Sequence, residues 1–121
     1  MRILVSGGSK FDEEAIVWRA LDWLHGNISV TELVHGDAPG VDKAAGRWAE
    51  QNDIVTYRCP ADWNSYYGGL AGRVRNRKML LHYKPQLVVA LPGANGTQHM
   101  CDLANEFRYP LMRFDRNGEV I

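Results

Sequence analysis

Five short apolar runs divide the chain: Ile3-Leu4-Val5, Leu33-Val34-His35, Ile54-Val55-Thr56-Tyr57, Leu87-Val88-Val89-Ala90-Leu91 and Leu111-Met112-Arg113-Phe114. Most are continuous rather than alternating, which is how strands read when both faces of a parallel sheet are covered. Between the runs the apolar period changes. Val17, Ala20, Leu21 and Leu24 recur at i, i+3, i+4 and i+7. Val41, Ala44, Ala45, Trp48 and Ala49 repeat the spacing, as do Met100, Leu103, Ala104 and Phe107. Each set lines one face of a helix ready to cover a sheet. A further segment, about Gly69 to Tyr83, is helical by propensity with a less clean period. Strands alternating with helices make βαβ units, and right-handed crossovers wind them into an open sheet. The predicted fold is α/β: a doubly wound, mostly parallel five-stranded sheet with helices on both faces.

The 121 residues suit one domain with one core. Fourteen basic residues balance fourteen acidic ones, so the formal net charge is zero. That excludes a protein that coats nucleic acid through bulk positive charge and leaves room for a local basic patch. Cys59 and Cys101 form neither a CxxC pair nor a disulfide framework. No apolar run approaches the ~20 residues of a membrane span. The chain enters a strand pattern at once, without a signal-peptide layout, so the expected location is cytoplasmic and no membrane partner is expected.

In open α/β sheets, ligands bind outside the carboxyl ends of the strands. The segments that follow three of the runs are rich in small residues: Ser6-Gly7-Gly8-Ser9, Gly36-Asp37-Ala38-Pro39-Gly40-Val41-Asp42, and Pro92-Gly93-Ala94-Asn95-Gly96-Thr97. Glycines let a backbone approach a ligand and offer its N–H groups. Each loop is expected to open a helix, whose N-terminus favours an anion. One such loop is equally a plain strand-to-helix turn. Three on one edge point to a phosphate-bearing ligand. None matches GxGxxG or the Walker lysine motif, so a standard dinucleotide or P-loop site is not expected.

Positions 63–101 contain no acidic residue and carry Arg73, Arg75, Arg77, Lys78 and Lys84. The rest of the chain is therefore net negative by five charges. A helix N-terminus does not favour cations, so arginines early in this helix suggest an anion nearby; the other reading is a solvated basic face. The preceding stretch, Pro60 to Gly69, is longer than the ~2–6 residues usual for a βα connection. Its Trp63, Tyr66 and Tyr67 could stack on a base, pack on the sheet edge or meet a partner.

Taken in order, Gly7-Gly8-Ser9, His35 to Asp42, Pro60-Ala61-Asp62-Trp63, Ala71 to Met79 and Pro92 to Thr97 resemble the YspA-like branch of the SLOG superfamily. That superfamily also holds the lonely guy phosphoribohydrolases and the DNA-processing protein DprA. The resemblance runs from Met1 to about Phe107 and implies a Rossmann-like fold. It implies that residues 1–121 form a single SLOG-like nucleotide-binding domain. It assigns phosphate binding to Gly7, Gly8 and Ser9 together with the PGGxGT-like loop Pro92, Gly93, Asn95, Gly96 and Thr97. Ala94 replaces the second glycine there, which implies a reshaped loop. Thr97 fits a helix N-cap and a phosphate contact. Gly36 and Asp42 would line the sugar side, with Asp42 either accepting from a ribose hydroxyl or favouring the helix turn by charge. Arg75, beside Asn76, would clamp the phosphate.

Lonely guy enzymes carry R-x-x-x-M and a glutamate after the GT. Arg75 and Met79 match the first; Gln98-His99-Met100 replaces the second. N-glycoside hydrolysis needs a carboxylate near the sugar carbon. His99 and Asp102 are the remaining catalytic candidates beside Arg75. The Arg75-Asn76-Arg77 run is also similar to a DprA segment, and so to single-stranded DNA binding. His25, His35, His82 and His99 are scattered without HExxH, so no metal site is expected, and no cofactor. His35 reads as a hydrogen-bonded residue at a strand end. The expected function is binding of a nucleotide or ADP-ribose-like ligand for sensing or sequestration. The alternatives are a nucleotide N-glycosidase (a 5'-monophosphate phosphoribohydrolase) and a single-strand DNA binder. A homodimer is expected, with the four tryptophans offering apolar area.

Overall fold

A computed structural model describes residues 1–64 and 69–121. Its elements alternate strictly: β1 (Arg2–Ser6), α1 (Glu14–Ile28), β2 (Glu32–His35), α2 (Val41–Gln51), β3 (Val55–Arg58), α3 (Leu70–Tyr83), β4 (Leu87–Ala90), α4 (Asn95–Glu106) and β5 (Leu111–Arg113). All strand pairings are parallel, in the order β3-β2-β1-β4-β5. The expected Rossmann-like α/β sheet is therefore present. The chain starts in the middle, winds outward to β3, then returns to place β4 beside β1. That reversal leaves a crevice at the carboxyl ends of β1 and β4.

Alternate strand residues feed two cores, because neighbouring side chains leave a strand on opposite faces. Ile3, Val5, Leu33 and Val89 meet the apolar stripes of α1 and α2. Leu4, Val34 and Val88 meet Met79 and Leu80 of α3 and Met100, Leu103 and Ala104 of α4. Both sheet faces are thus covered. All four apolar positions read on α1 and all five on α2 are buried. Phe107 falls just past α4 as its C-cap and packs partly buried on the second core.

Two edge elements depart from the expected continuous burial. Val55 of β3 is exposed and Thr56 and Tyr57 are only half-buried, because β3 is an edge strand. β5, the other edge, is three residues long. Phe114 then pairs antiparallel with Val120, folding the last residues back beside the sheet. Of the four tryptophans, Trp48 is fully buried, Trp18 is half-buried and bonded to Ala44 O, and Trp23 and Trp63 are exposed. Among the described residues, no helix is long and apolar enough to cross a membrane.

Candidate functional site

The three small-residue loops meet at the crevice and bind one another. Gly8 N–H donates to Pro92 O at 2.8 Å, and Gly8 O accepts from Val41 N–H at 3.2 Å. Leu91 N–H donates to Ser6 O at 2.8 Å, continuing the β1–β4 ladder into the loops. This contact is possible only without side chains. A Cβ at Gly93 would run into Thr97 Oγ1 and stand 2.8 Å from Gly8 N. A Cβ at Gly8 would stand 3.0 Å from Pro92 O. These two glycines serve loop-to-loop packing, and Gly8's N–H is already engaged. The expectation that this N–H is offered to a ligand is thereby corrected. The first loop leads into α1 through the seven residues between Ser6, where β1 ends, and Glu14, where α1 begins.

Donors without an intrahelical partner sit at the start of α4. Its first intrahelical bond in this turn runs from Gln98 N–H to Ala94 O at 3.0 Å. Helix geometry leaves the N–H groups of Asn95, Gly96 and Thr97 without such partners. The N-cap, Ala94, makes no side-chain cap bond, and the first turn holds no acidic residue. Ala94 has φ −116° and is exposed, so nothing at this position requires the glycine of the PGGxGT pattern. Thr97 is not the N-cap, as read from sequence, but a buried residue inside the first turn.

Arg75 reaches this crevice from α3. Its Nη1 donates to Gly36 O at 2.7 Å and its Nε to Asn76 Oδ1 at 3.0 Å. Both acceptors are neutral, and the Asp42 carboxyl lies within electrostatic reach of the guanidinium. Asn76, buried, donates from Nδ2 to Gly96 O at 3.1 Å and lies 3.2 Å from His99 Nδ1. A relay of contacts thus ties the second loop, α3 and α4 together. Burial, reinforced by Arg73, lowers the His99 pKa, which keeps its ring neutral and able to accept from Asn76. A Cβ at Gly36 would overlap Arg75 Nη1 and stand 2.9 Å from Asp42 Oδ2, so glycine is required for this packing too.

Asp42 is buried and accepts from the N–H groups of Gly36 at 3.1 Å and Ala38 at 3.3 Å. Burial pushes its carboxyl up to about 6, against the opposing pull of these N–H groups and of Arg75. Its observed role is to shape the second loop, a role the two sequence readings did not include. His35, 2% exposed, accepts from Asp37 N–H on Nδ1 at 2.9 Å. Burial lowers its pKa to about 4, so the ring is neutral.

Together these parts enclose a pocket of about 820 Å³. Gly7, Gly8, Ser9, Gly36, Asp42, Trp63, Arg75, Asn76, Pro92, Gly93, Gly96 and Thr97 all line it, as the sequence reading grouped them. Asn95, His99 and Asp102 do not. Asn95 is exposed at the start of α4, and exposed Asp102 accepts from Gln98 Nε2 at 2.9 Å. Trp63 is 62% exposed on the rim, with Gly72 of α3 beside its ring. Tyr66 and Tyr67 lie outside the described residues.

The wall also holds Lys10, Phe11, Asp12 and Glu13 from the approach to α1, and Arg116 from the segment after β5. The sequence reading missed these. The gap between Ser9 and Val17, where the apolar stripe of the helix starts, was the available signal for the first group. Arg116 had none, since only folding brings it here. The plus-five stretch, by contrast, does not concentrate at the pocket. Of its five cations only Arg75 lines the wall, while Arg77 rests 5.2 Å from the Phe107 ring. The wall mixes Lys10, Arg75 and Arg116 with Asp12, Glu13, Asp37 and Asp42. Asp37 is paired with Lys43 at 3.1 Å, and Asp42 faces backbone N–H groups.

A family model described as the YspA, cpYpsA-related SLOG family matches residues 1–66. The Gene 61 protein of Mycobacterium phage D29 is 31% identical over 121 residues, covering 93% of this chain and 95% of that protein. Among solved structures, the phosphoribosylglycinamide formyltransferase purN of Coxiella burnetii, in complex with CHES, superposes with a TM-score of 0.52. That match covers 93% of this chain and 50% of the other at 13% identity, which speaks to the fold.

Proposed function

We propose that this chain, which belongs to the YspA- and cpYpsA-related SLOG family, binds a nucleotide or nucleotide-derived ligand. One observation carries the reading: the uncapped N-terminus of α4 opens into the same pocket as the Arg75 guanidinium, at the reversal point of a parallel sheet. Oriented N–H groups and a planar cation together suit a phosphate. Gly93, Gly96 and Thr97 would hold it, with Ser9 of the first loop nearby. Gly36 and Asp42 would face the sugar, and Trp63 would cover the base. Such a domain senses or sequesters its ligand.

Titration of the protein with AMP and with ADP-ribose tests this. Saturable binding is expected, weakened by Arg75→Ala on the order of tenfold or more, the cost of a lost charge-assisted hydrogen bond. Absence of saturable binding, or unchanged affinity in a folded Arg75→Ala variant, refutes it. A second reading, hydrolysis of the N-glycosidic bond, draws on Asp12 and Glu13. These carboxylates line the same pocket, whereas Gln98 stands where lonely guy enzymes carry glutamate. Release of free base and ribose 5-phosphate from nucleoside monophosphates would favour it. Single-stranded DNA binding is the weakest reading, because the α3 cations do not gather along the cleft.

A further inference from the structure

We infer that the outer face of α3 docks an acidic amphipathic helix of a second protein. The inference is independent of the nucleotide reading, because none of the residues it uses lines the pocket.

α3 is apolar on two sides, which is why its period is less clean than that of the other helices. Ala71, Met79 and Leu80 are buried, and the last two join the second core. Leu70, Val74 and Leu81 are instead 49%, 38% and 39% exposed. At 3.6 residues per turn these three fall within an arc of about 40°. Arg73 and Arg77 border the arc on one side and Lys78 on the other, and all three are exposed. Positions 70, 74, 77 and 81 also follow the alternating four- and three-residue spacing of a helix-pairing seam, with Arg73 and Lys78 at its flanks. Arg77 holds the seam position between Val74 and Leu81, and its guanidinium rests 5.2 Å from the Phe107 ring. A plain solvated face would be polar along this arc. Here it carries an aliphatic stripe between two basic rails.

Charge selects the occupant. Positions 63–101 hold no acidic residue, and among the described residues none of Arg73, Arg77 and Lys78 forms an ion pair. Asp102 and Glu106, exposed on the neighbouring α4, are not paired with them either. A second copy laid α3 against α3 would set cation against cation, which opposes that pairing. A nucleic-acid strand gains affinity by stacking its bases on aromatic rings, and Leu70, Val74 and Leu81 have none to offer. A helix with an apolar seam and carboxylates along its edges answers both features. Its seam covers the stripe, and its carboxylates meet the rails. Such a partner also accounts for three of the five cations in the acid-free stretch, which the pocket leaves unused.

Fluorescence anisotropy with a labelled synthetic helix and the full chain at low salt tests this. The probe has three heptads, with Leu along the seam and Glu at the flanks, where like charge keeps it from pairing with itself. One control carries Lys at the flanks, and another keeps Glu but replaces the seam Leu by Ser. The Leu–Glu probe is expected to bind saturably and at least about tenfold more tightly than either control, since each control lacks half of the match. Arg73→Glu combined with Lys78→Glu is expected to reverse the preference toward the Lys control. Val74→Ser combined with Leu81→Ser is expected to weaken the Leu–Glu probe by about tenfold. All four positions are exposed, so these variants should keep the fold, read as an unchanged urea midpoint. Absence of saturable binding to the Leu–Glu probe overturns the inference, as does a preference unchanged by charge reversal. Tighter binding to a short oligo-dT or to phosphatidylserine vesicles than to the probe also overturns it, because basic charge alone then explains the face. Self-association lost in the Val74→Ser, Leu81→Ser protein overturns it in favour of a second copy.

Discussion

Gly93→Ala should be far more damaging than its single added methyl suggests. The new Cβ would run into Thr97 Oγ1 and approach Gly8 N to 2.8 Å. Thr97 is buried and β-branched, so its side chain has little freedom to turn away. Gly8 N is backbone, and it is already bonded to Pro92 O. Relief therefore requires the first and third loops to part. Overpacking of this kind costs about 1–3 kcal/mol, and the lost Gly8–Pro92 bond adds roughly 1 kcal/mol. A total of about 2–4 kcal/mol corresponds to a fall in Tm on the order of 10 °C for a chain of this size. Ala94→Gly at the neighbouring exposed position is the control, expected to stay within about 0.5 kcal/mol. Urea unfolding of both variants gives the stabilities, and AMP titration reports whether the α4 N–H groups still face the pocket. A Gly93→Ala protein as stable as wild type, with unchanged AMP affinity, would refute the interlocked-loop account.

Three further outcomes are expected. The folded pKa of Asp42 is raised to about 6, so its contribution to stability is full below about pH 4 and is lost as pH rises through about 6. The folded pKa of His35 is lowered to about 4, so its contribution is full above about 6.5 and is lost as pH falls through about 4. The two slopes oppose each other between about pH 4 and 6, and Asp42→Asn should expose the His35 slope as stability that rises with pH, read from urea midpoints. A flat profile in that variant would contradict the buried neutral histidine. Trp63→Ala should weaken AMP on the order of tenfold while leaving ribose 5-phosphate unchanged, because only the first has a base to stack. Equal weakening of both would assign Trp63 to the loop rather than to the base. Sedimentation at micromolar concentration should show a homodimer, and Trp23→Ser should dissociate it. Trp23 is exposed and packs edge-on against Phe114, which pairs with exposed Val120, and together they offer an apolar patch to a second copy. A 13.7 kDa wild-type species would rule this out.

Much of the architecture was legible because it depends on period. Val17, Ala20, Leu21 and Leu24 can share a face only on a helix, and all four are buried against the sheet. The strand runs were legible as strands, but the pattern could not assign sheet order, so Val55 read as core although β3 is an edge. The residues near the cleft were legible as a group because they follow strand ends. Their individual roles were not. Gly8 read as a donor and is instead a spacer, since its N–H faces a carbonyl 84 residues away in sequence. Asp42 read as a sugar or helix contact and instead holds the loop that precedes it.

The charge pattern divides the same way. Sequence alone determined that one acid-free stretch carries five cations, and that small-residue loops follow three strands. Periodicity and local composition are written along the chain, so they survive without a fold. Only the tertiary structure decided which cation matters to the pocket. The turn of α3 directs Arg75 to Gly36 and sends Arg77 onto Phe107. It also brought Arg116 to the same wall from beyond the last strand. Where a side chain points depends on helix phase and on long-range packing, which no local window of sequence contains.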